Sequence, residues 1–188
     1  MIRSLVLLVT FLLAAPPAPA AVTVAGVAFA ETARAADGSR LVLNGVGVRT
    51  KFFVKVYVAA LYLPERSADP AAILARTGPR QIRMHFLYKA IDPERMAEAW
   101  REGFEANLAP GALEALESRI RRFVGLFGTM RRGDEVLLDY LPGEGTRVLV
   151  NGELRGTIPG REFNDALLAI FIGEHPATGA LKRGLLGG

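Results

Sequence analysis

The sequence predicts an α+β domain: a long antiparallel sheet with its helices gathered on one face. Three observations carry that expectation. Strand-like stretches come first, then two amphipathic helices, then a strand meander, then a closing helix, which is not the repeating order that builds a parallel sheet. The chain has 188 residues, 51% of them hydrophobic, enough for one core, and no Cys, so packing must stabilise it rather than disulfides. After residue 21 there is no repeat, low-complexity linker or shift of composition, so 21–188 reads as a single domain.

Residues 1–20 read as a signal peptide. Arg3 precedes an apolar run from Leu5 to Ala15, too short for the roughly 20 residues that span a bilayer, and Ala18-Pro19-Ala20 has the small-x-small form of a cleavage site. A periplasmic or secreted location follows, with no stable membrane anchor after cleavage.

Val22 to Ala28 and Leu41 to Val48 are valine-rich and strand-like, with Asp37-Gly38 and Asn44-Gly45 as turns. Lys51 to Leu63 reads as one central strand, with Phe53, Lys55, Tyr57, Ala59 and Leu61 on one face and Phe52, Val54, Val56, Val58 and Ala60 on the other. Asp69-Pro70 opens a short helix to Arg76, and Gly78-Pro79 ends it. Arg80 to Tyr88 returns to period two. Ile82, Met84, Phe86 and Tyr88 share the apolar side, opposite Gln81, Arg83 and His85.

Asp92-Pro93 caps a helix in which Met96, Trp100, Phe104 and Leu108 recur every four residues. A second amphipathic helix, about Pro110 to Phe127, carries Leu113, Leu116, Ile120, Phe123 and Phe127. Asp134 to Tyr140, Thr146 to Val150 and Glu153 to Ile158 form the meander, with Pro142-Gly143 and Asn151-Gly152 at its turns. A helix from Arg161 puts Phe163, Ala166, Leu167, Ile170 and Phe171 on one stripe before Gly173, and Ala180 to Leu186 adds a short helical tail.

The charge balance argues against nucleic acid. The net charge is only +4, and the nearest thing to a basic patch, Arg119, Arg121, Arg122, Arg131 and Arg132, alternates with Ile120 and Phe123 as a solvated helix face would. Familiar catalytic patterns are missing as well. Beyond the leader the serines are Ser39, Ser67 and Ser118, none in a Gly-x-Ser-x-Gly elbow. His85 and His175 lack a closely spaced second ligand, so no metal is expected. Gly45-Val46-Gly47 matches the start of a dinucleotide fingerprint, but the third glycine is absent and a strand follows, so no cofactor is expected.

The segment Asn44 to Leu63 resembles the chalcone isomerase family, especially its bacterial exported members and its fatty-acid-binding plant members. The resemblance rests on a Gly47-Val48-Arg49 entry, on Lys55-Val56-Tyr57-x-Ala59-x-x-Tyr62, and on Phe163 to Gly173 followed by Pro176, and it spans about residues 22 to 187. It implies an open-faced β-sandwich with a ligand cleft between sheet and helices. It also implies that Arg49 takes the place of the arginine that stabilises negative charge on the reacting oxygens of a chalcone. Tyr57 falls where the plant enzymes carry a threonine and the fatty-acid binders a tyrosine. The enzymes' Tyr-x-x-Lys-x-x-x-Asn helix pattern is replaced by Glu94, Arg95, Glu98 and Glu102, so flavanone formation is not expected.

The expectation is therefore an exported protein of this family, without flavanone-forming activity, that binds a small apolar or carboxylate ligand such as a fatty acid. Arg49, Tyr57 and Tyr88 are its candidate ligand-binding residues. One alternative is an intramolecular lyase acting on a chalcone-like enone, which requires those three residues to converge. Another is a non-catalytic scaffold whose cleft is filled by side chains. On a straight strand Arg49 and Tyr57 would stand roughly 26 Å apart, too far to share one anion. A further alternative leaves Arg49 on the surface beside the Gly45-Val46-Gly47 turn.

Overall fold

The computed structural model describes residues 20–188. The expected signal peptide, residues 1–20, lies almost wholly outside them.

Seven strands form one antiparallel sheet in the order β11-β10-β9-β6-β5-β4-β3. In chain order these are β3 (Thr32–Arg34), β4 (Arg40–Lys51), β5 (Val54–Leu63), β6 (Arg80–Phe86), β9 (Glu135–Leu141), β10 (Gly145–Val150) and β11 (Glu153–Ile158). A preceding hairpin, β1 (Ala21–Val24) and β2 (Val27–Ala30), turns at Ala25-Gly26, both with positive φ. The expected single strand over Val22–Ala28 is thus two short ones. β7 (Ala90–Ile91) and β8 (Met130–Arg131) make a separate two-stranded ladder beyond the end of β6.

The helices are α1 (Pro70–Ala75), α2 (Pro93–Asn107), α3 (Pro110–Val124), α4 (Arg161–Ile172) and α5 (Gly179–Leu185). Asp69 and Asp92 cap α1 and α2 through the N–H groups of Ala71 and Arg95, each at 2.9 Å and each followed by proline at the first helical position. Such caps contribute about 1 kcal/mol apiece. The four-residue rhythm of Met96, Trp100 and Phe104 buries one face of α2 against the sheet and against Phe123 and Phe163.

Two apolar layers result. Tyr57, Ala59, Leu61 and Leu63 join Ile82, Met84 and Phe86 in the main core under the helices. On the opposite sheet face Val58, Ala60 and Tyr62 pack with Phe29, Leu41 and Leu43, and the Tyr62 hydroxyl donates to the carbonyl of Ala30 at 2.9 Å, tying down the N-terminal hairpin. The helices therefore lie on one face, as expected, while β1 and β2 cover part of the other.

Asn44-Gly45 is not a turn. It sits within β4 where the register with β5 shifts, and the Asn44 side chain bridges Ser67 and the carbonyl of Leu185. Glycine is required next to it because α5 lies directly on β4. A Cβ on Gly47 would stand 2.4 Å from the Leu181 carbonyl oxygen, and one on Gly45 would stand 2.2 Å from that of Gly184.

The largest correction concerns Lys51 to Leu63. Instead of one continuous strand, Lys51 ends β4, Phe52 and Phe53 turn the chain with φ of 47° and 66°, and Val54 starts β5. Two consecutive positive φ values are the requirement of a tight hairpin whose twist matches its strands. Phe52 and Phe53 meet it without the usual asparagine or glycine, and they lie almost wholly in solvent.

Candidate functional site

Because β4 and β5 form a hairpin, Arg49 pairs directly with Tyr57. The 26 Å separation vanishes: the guanidinium carbon stands 5.7 Å from the Tyr57 ring centroid. Between Arg49 and Thr50 the register shifts, so Thr50 faces Lys55 and Val56 is an extra residue on β5. Its carbonyl accepts from both Leu87 N–H and Tyr88 N–H, at 2.9 and 3.1 Å. Bulges of this kind re-aim side chains. Here Val56 and Tyr57 both enter the core on the helix side, and Arg49 follows Gly45 and Gly47 onto that same face, half-buried rather than on the open surface.

Arg49 and Tyr57 stand between two adjoining spaces. The outer one is a cleft of about 500 Å³ bordered by the hairpin tip, by Val56, Phe86, Tyr88 and Ile91, and by the Arg95, Met96, Glu98, Ala99 and Glu102 side of α2. The inner one, about 160 Å³, runs past Met84 and Trp100 to Ile170 and the loop His175-Pro176-Ala177. Asn107 holds that loop in place by exchanging hydrogen bonds with the backbone of His175, at 2.7 and 3.2 Å. The cleft is open, not plugged by side chains as the scaffold alternative requires.

Tyr88 borders the outer cleft but does not lie in the core. β6 ends at Phe86, and with the Leu87 and Tyr88 N–H groups both donating to the Val56 carbonyl, Tyr88 stands at the rim, 42% exposed. All three candidate residues thus face one cleft, with Tyr88 at the mouth and the other two at the depth.

The electrostatics of the pair are asymmetric. Nε of Arg49 is buried with no hydrogen-bond partner, and among the described residues no carboxylate lies within ion-pair distance of its guanidinium. Tyr57 is only 5% exposed, and burial pushes its phenol up to about 12 against the opposing pull of the Arg49 charge. It therefore stays neutral and able to donate. The outer cleft carries the cations Arg49, Lys51 and Arg95, the last of them paired with Asp92, and the carboxylates Glu98 and Glu102. Donors without acceptors at the end of an apolar cleft suit a ligand with an anionic oxygen and a hydrocarbon body.

Sequence reasoning missed two features. The inner space depends on Trp100, which was expected in the core; it is there, stacked on Phe127, yet it also forms a wall, and its buried Nε1 has no hydrogen-bond partner. The Lys51-Phe52 edge of the cleft was hidden by reading the tip as mid-strand. Among the described residues no cluster of His, Asp and Glu could hold a metal ion.

The comparisons agree with this architecture. A sequence search of curated proteins finds no match. Among solved structures, a fatty-acid binding protein of Arabidopsis thaliana superimposes with a TM-score of 0.71 at 17% identity, over 89% of this chain and 96% of that one, which establishes the shared fold. The profile described as chalcone isomerase-like matches residues 21–187. With nearly the whole described chain inside that match, and with the sheet, helices and cleft in place, the protein belongs to the chalcone isomerase-like family.

Proposed function

We propose that this protein is an exported carrier that captures a fatty acid or a similar amphiphilic carboxylate, without flavanone-forming activity. One observation carries the reading: the half-buried Arg49, with no carboxylate paired to it among the described residues, stands over the ring of the neutral, buried Tyr57 where both line an apolar cleft. A guanidinium has donors only, and a carboxylate satisfies them with charge-assisted hydrogen bonds while the phenol adds another. The hydrocarbon chain then lies along Val54, Val56, Phe86, Ile91 and Met96. The shared fold with the Arabidopsis fatty-acid binding protein supports this choice of ligand. Export rests on Arg3, the apolar run to Ala15 and Ala18-Pro19-Ala20.

The α2 wall argues against the enzymatic alternative. It offers Arg95, Glu98 and Glu102 to the cleft in place of the Tyr-x-x-Lys-x-x-x-Asn donors that the plant enzymes carry on this helix.

The test is binding of dodecanoate by titration calorimetry, with native mass spectrometry of the protein taken from its own compartment. Wild type is expected to bind and to carry a co-purified acid. Arg49→Ala loses about 10- to 100-fold in affinity, corresponding to the roughly 1.5–3 kcal/mol of a charged hydrogen bond, with an unchanged circular dichroism spectrum. Equal binding by Arg49→Ala refutes the anion anchor. Turnover of a hydroxychalcone, followed by absorbance, would favour the isomerase instead.

A further inference from the structure

The side chains of Phe52 and Phe53 at the tip of the β4–β5 hairpin take no part in the core. Phe52 is 85% exposed and Phe53 fully so, and both hold positive φ, a conformation that is strained for bulky side chains. Asparagine and glycine would make the same turn without strain, so folding does not account for two phenylalanines here. Val54 beside them is also exposed, and Tyr88 adds a partly exposed ring at the same mouth.

The charge that flanks this apolar tip directly is basic. Lys51 and Lys55 flank it, both exposed. The β7–β8 ladder brings more: Arg131 pairs with Ala90, and Arg132 N–H donates to the carbonyl of Lys89, placing exposed Lys89, Arg131 and Arg132 beyond the end of β6. Arg131 and Arg132 therefore do not belong with Arg119 and Arg121, which pair with Glu162 and Glu117 on another part of the surface. Acidic groups are present at this end too, but Asp92 is engaged by Arg95, Asp134 by the Arg131 N–H and the Asn151 side chain, and Glu135 by His85, while Glu98 faces the cleft.

Exposed aromatic rings ringed by lysine and arginine are the pattern of a segment that enters the headgroup region of an anionic bilayer. We propose that the Phe52-Phe53 tip, with the basic residues around it, docks the protein on an anionic phospholipid surface and sets the cleft mouth against that surface. Lys51, Phe52 and Val54 are shared by tip and cleft, so an amphiphile passes between bilayer and cleft without its chain crossing water. This exchange step rests on the carrier reading above; the docking itself does not.

The experiment compares wild type with Phe52→Asn/Phe53→Gly and with Lys51→Glu/Lys55→Glu, all sharing one N-terminus so that any contribution from it cancels. Each is co-sedimented with vesicles of phosphatidylcholine alone and with an added one-third of phosphatidylglycerol. Wild type is expected to bind the anionic vesicles, more weakly in high salt, and each variant to bind at least about tenfold less. Phe52→Asn/Phe53→Gly should also melt higher than wild type, since it relieves the turn, which separates loss of docking from loss of fold. Free-solution dodecanoate affinity is read on Lys89→Glu/Arg131→Glu, whose residues lie outside the cleft lining, and should stay within about threefold while docking falls. Equal sedimentation of wild type and the Asn-Gly variant overturns the proposal. So does wild type that ignores both vesicle types, or one that dimerises through the tip on a sizing column without binding lipid. If docking behaves as expected while no variant binds dodecanoate, the carrier reading fails and the docking surface stands.

Discussion

Arg49 and Tyr57 illustrate how two ordinary residues become a site through burial alone. Each shifts the cost of the other: the cation favours a nearby negative charge, yet the surrounding Val56, Met96 and Phe86 exclude the water that would stabilise one. For Tyr57 the exclusion dominates, and its ionisation is delayed to about 12 from 10.0. The consequence for stability has a definite sign. An unfolded tyrosine loses its proton near pH 10 whereas the folded one keeps it, so stability is full below pH 10 and falls as pH rises toward 12. At about 1.4 kcal/mol per unit the loss is roughly 3 kcal/mol. Urea denaturation at stepped pH should therefore show a steeper alkaline decline for wild type than for Tyr57→Phe. Tyr62, also raised by desolvation, leaves a smaller decline in the variant.

At the level of the element, β4 shows the tightest constraint. Gly47 faces the Leu181 carbonyl so closely that even one methyl must push α5 off the strand, and Gly184 meets the Val46 carbonyl from the other side. Gly47→Ala is expected to cost about 1–3 kcal/mol, as overpacking does, and to lower the melting temperature by several degrees. Gly38→Ala, with nothing within 4 Å but φ of 86°, tests backbone strain without a clash and should cost less. The helices were the most legible part of the chain, because Met96, Trp100 and Phe104 repeat at the helical period and Asp69 and Asp92 announce their own caps. The β4–β5 hairpin was illegible for an equally physical reason. Phenylalanine is a strong strand former, and a turn written Phe-Phe carries no asparagine or glycine to interrupt the pattern. The same error displaced Arg49 from Tyr57. Tyr88 was misplaced because the bulge at Val56, which ends β6, is a matter of backbone register and leaves no mark in the alternation of side chains.

Over the whole molecule, one sheet serves two different surfaces. Its inner face packs the helices and borders the cleft between α2 and the hairpin, and its outer face carries the N-terminal hairpin and a buried polar cluster. In that cluster Asp139 accepts from Gln81 at 2.9 Å and from Ala36 N–H at 3.2 Å, and desolvation holds its carboxyl above the usual range. Far from the cleft, the buried Arg80 joins Asn164 and Asp165 and stacks on Tyr140, locking α4 to β6 and β9. With the scaffold fixed at that end, ligand capture should stabilise the chain as a unit. At 100 times the dissociation constant, dodecanoate adds about 2.7 kcal/mol, a rise of roughly 5–10 °C for a domain of this size. The same acid at the same concentration should add only about 0.4–1.4 kcal/mol to Arg49→Ala, as its 10- to 100-fold weaker binding requires.

The chain has a single tryptophan. Trp100 is 4% exposed, caged by Phe123, Phe127 and Phe171, and forms one wall of the inner chamber. Its ultraviolet emission comes from one known place, with no background from a second indole. Occupancy of the chamber can thus be followed as a colour change, in the native chain and in real time, without attaching a dye.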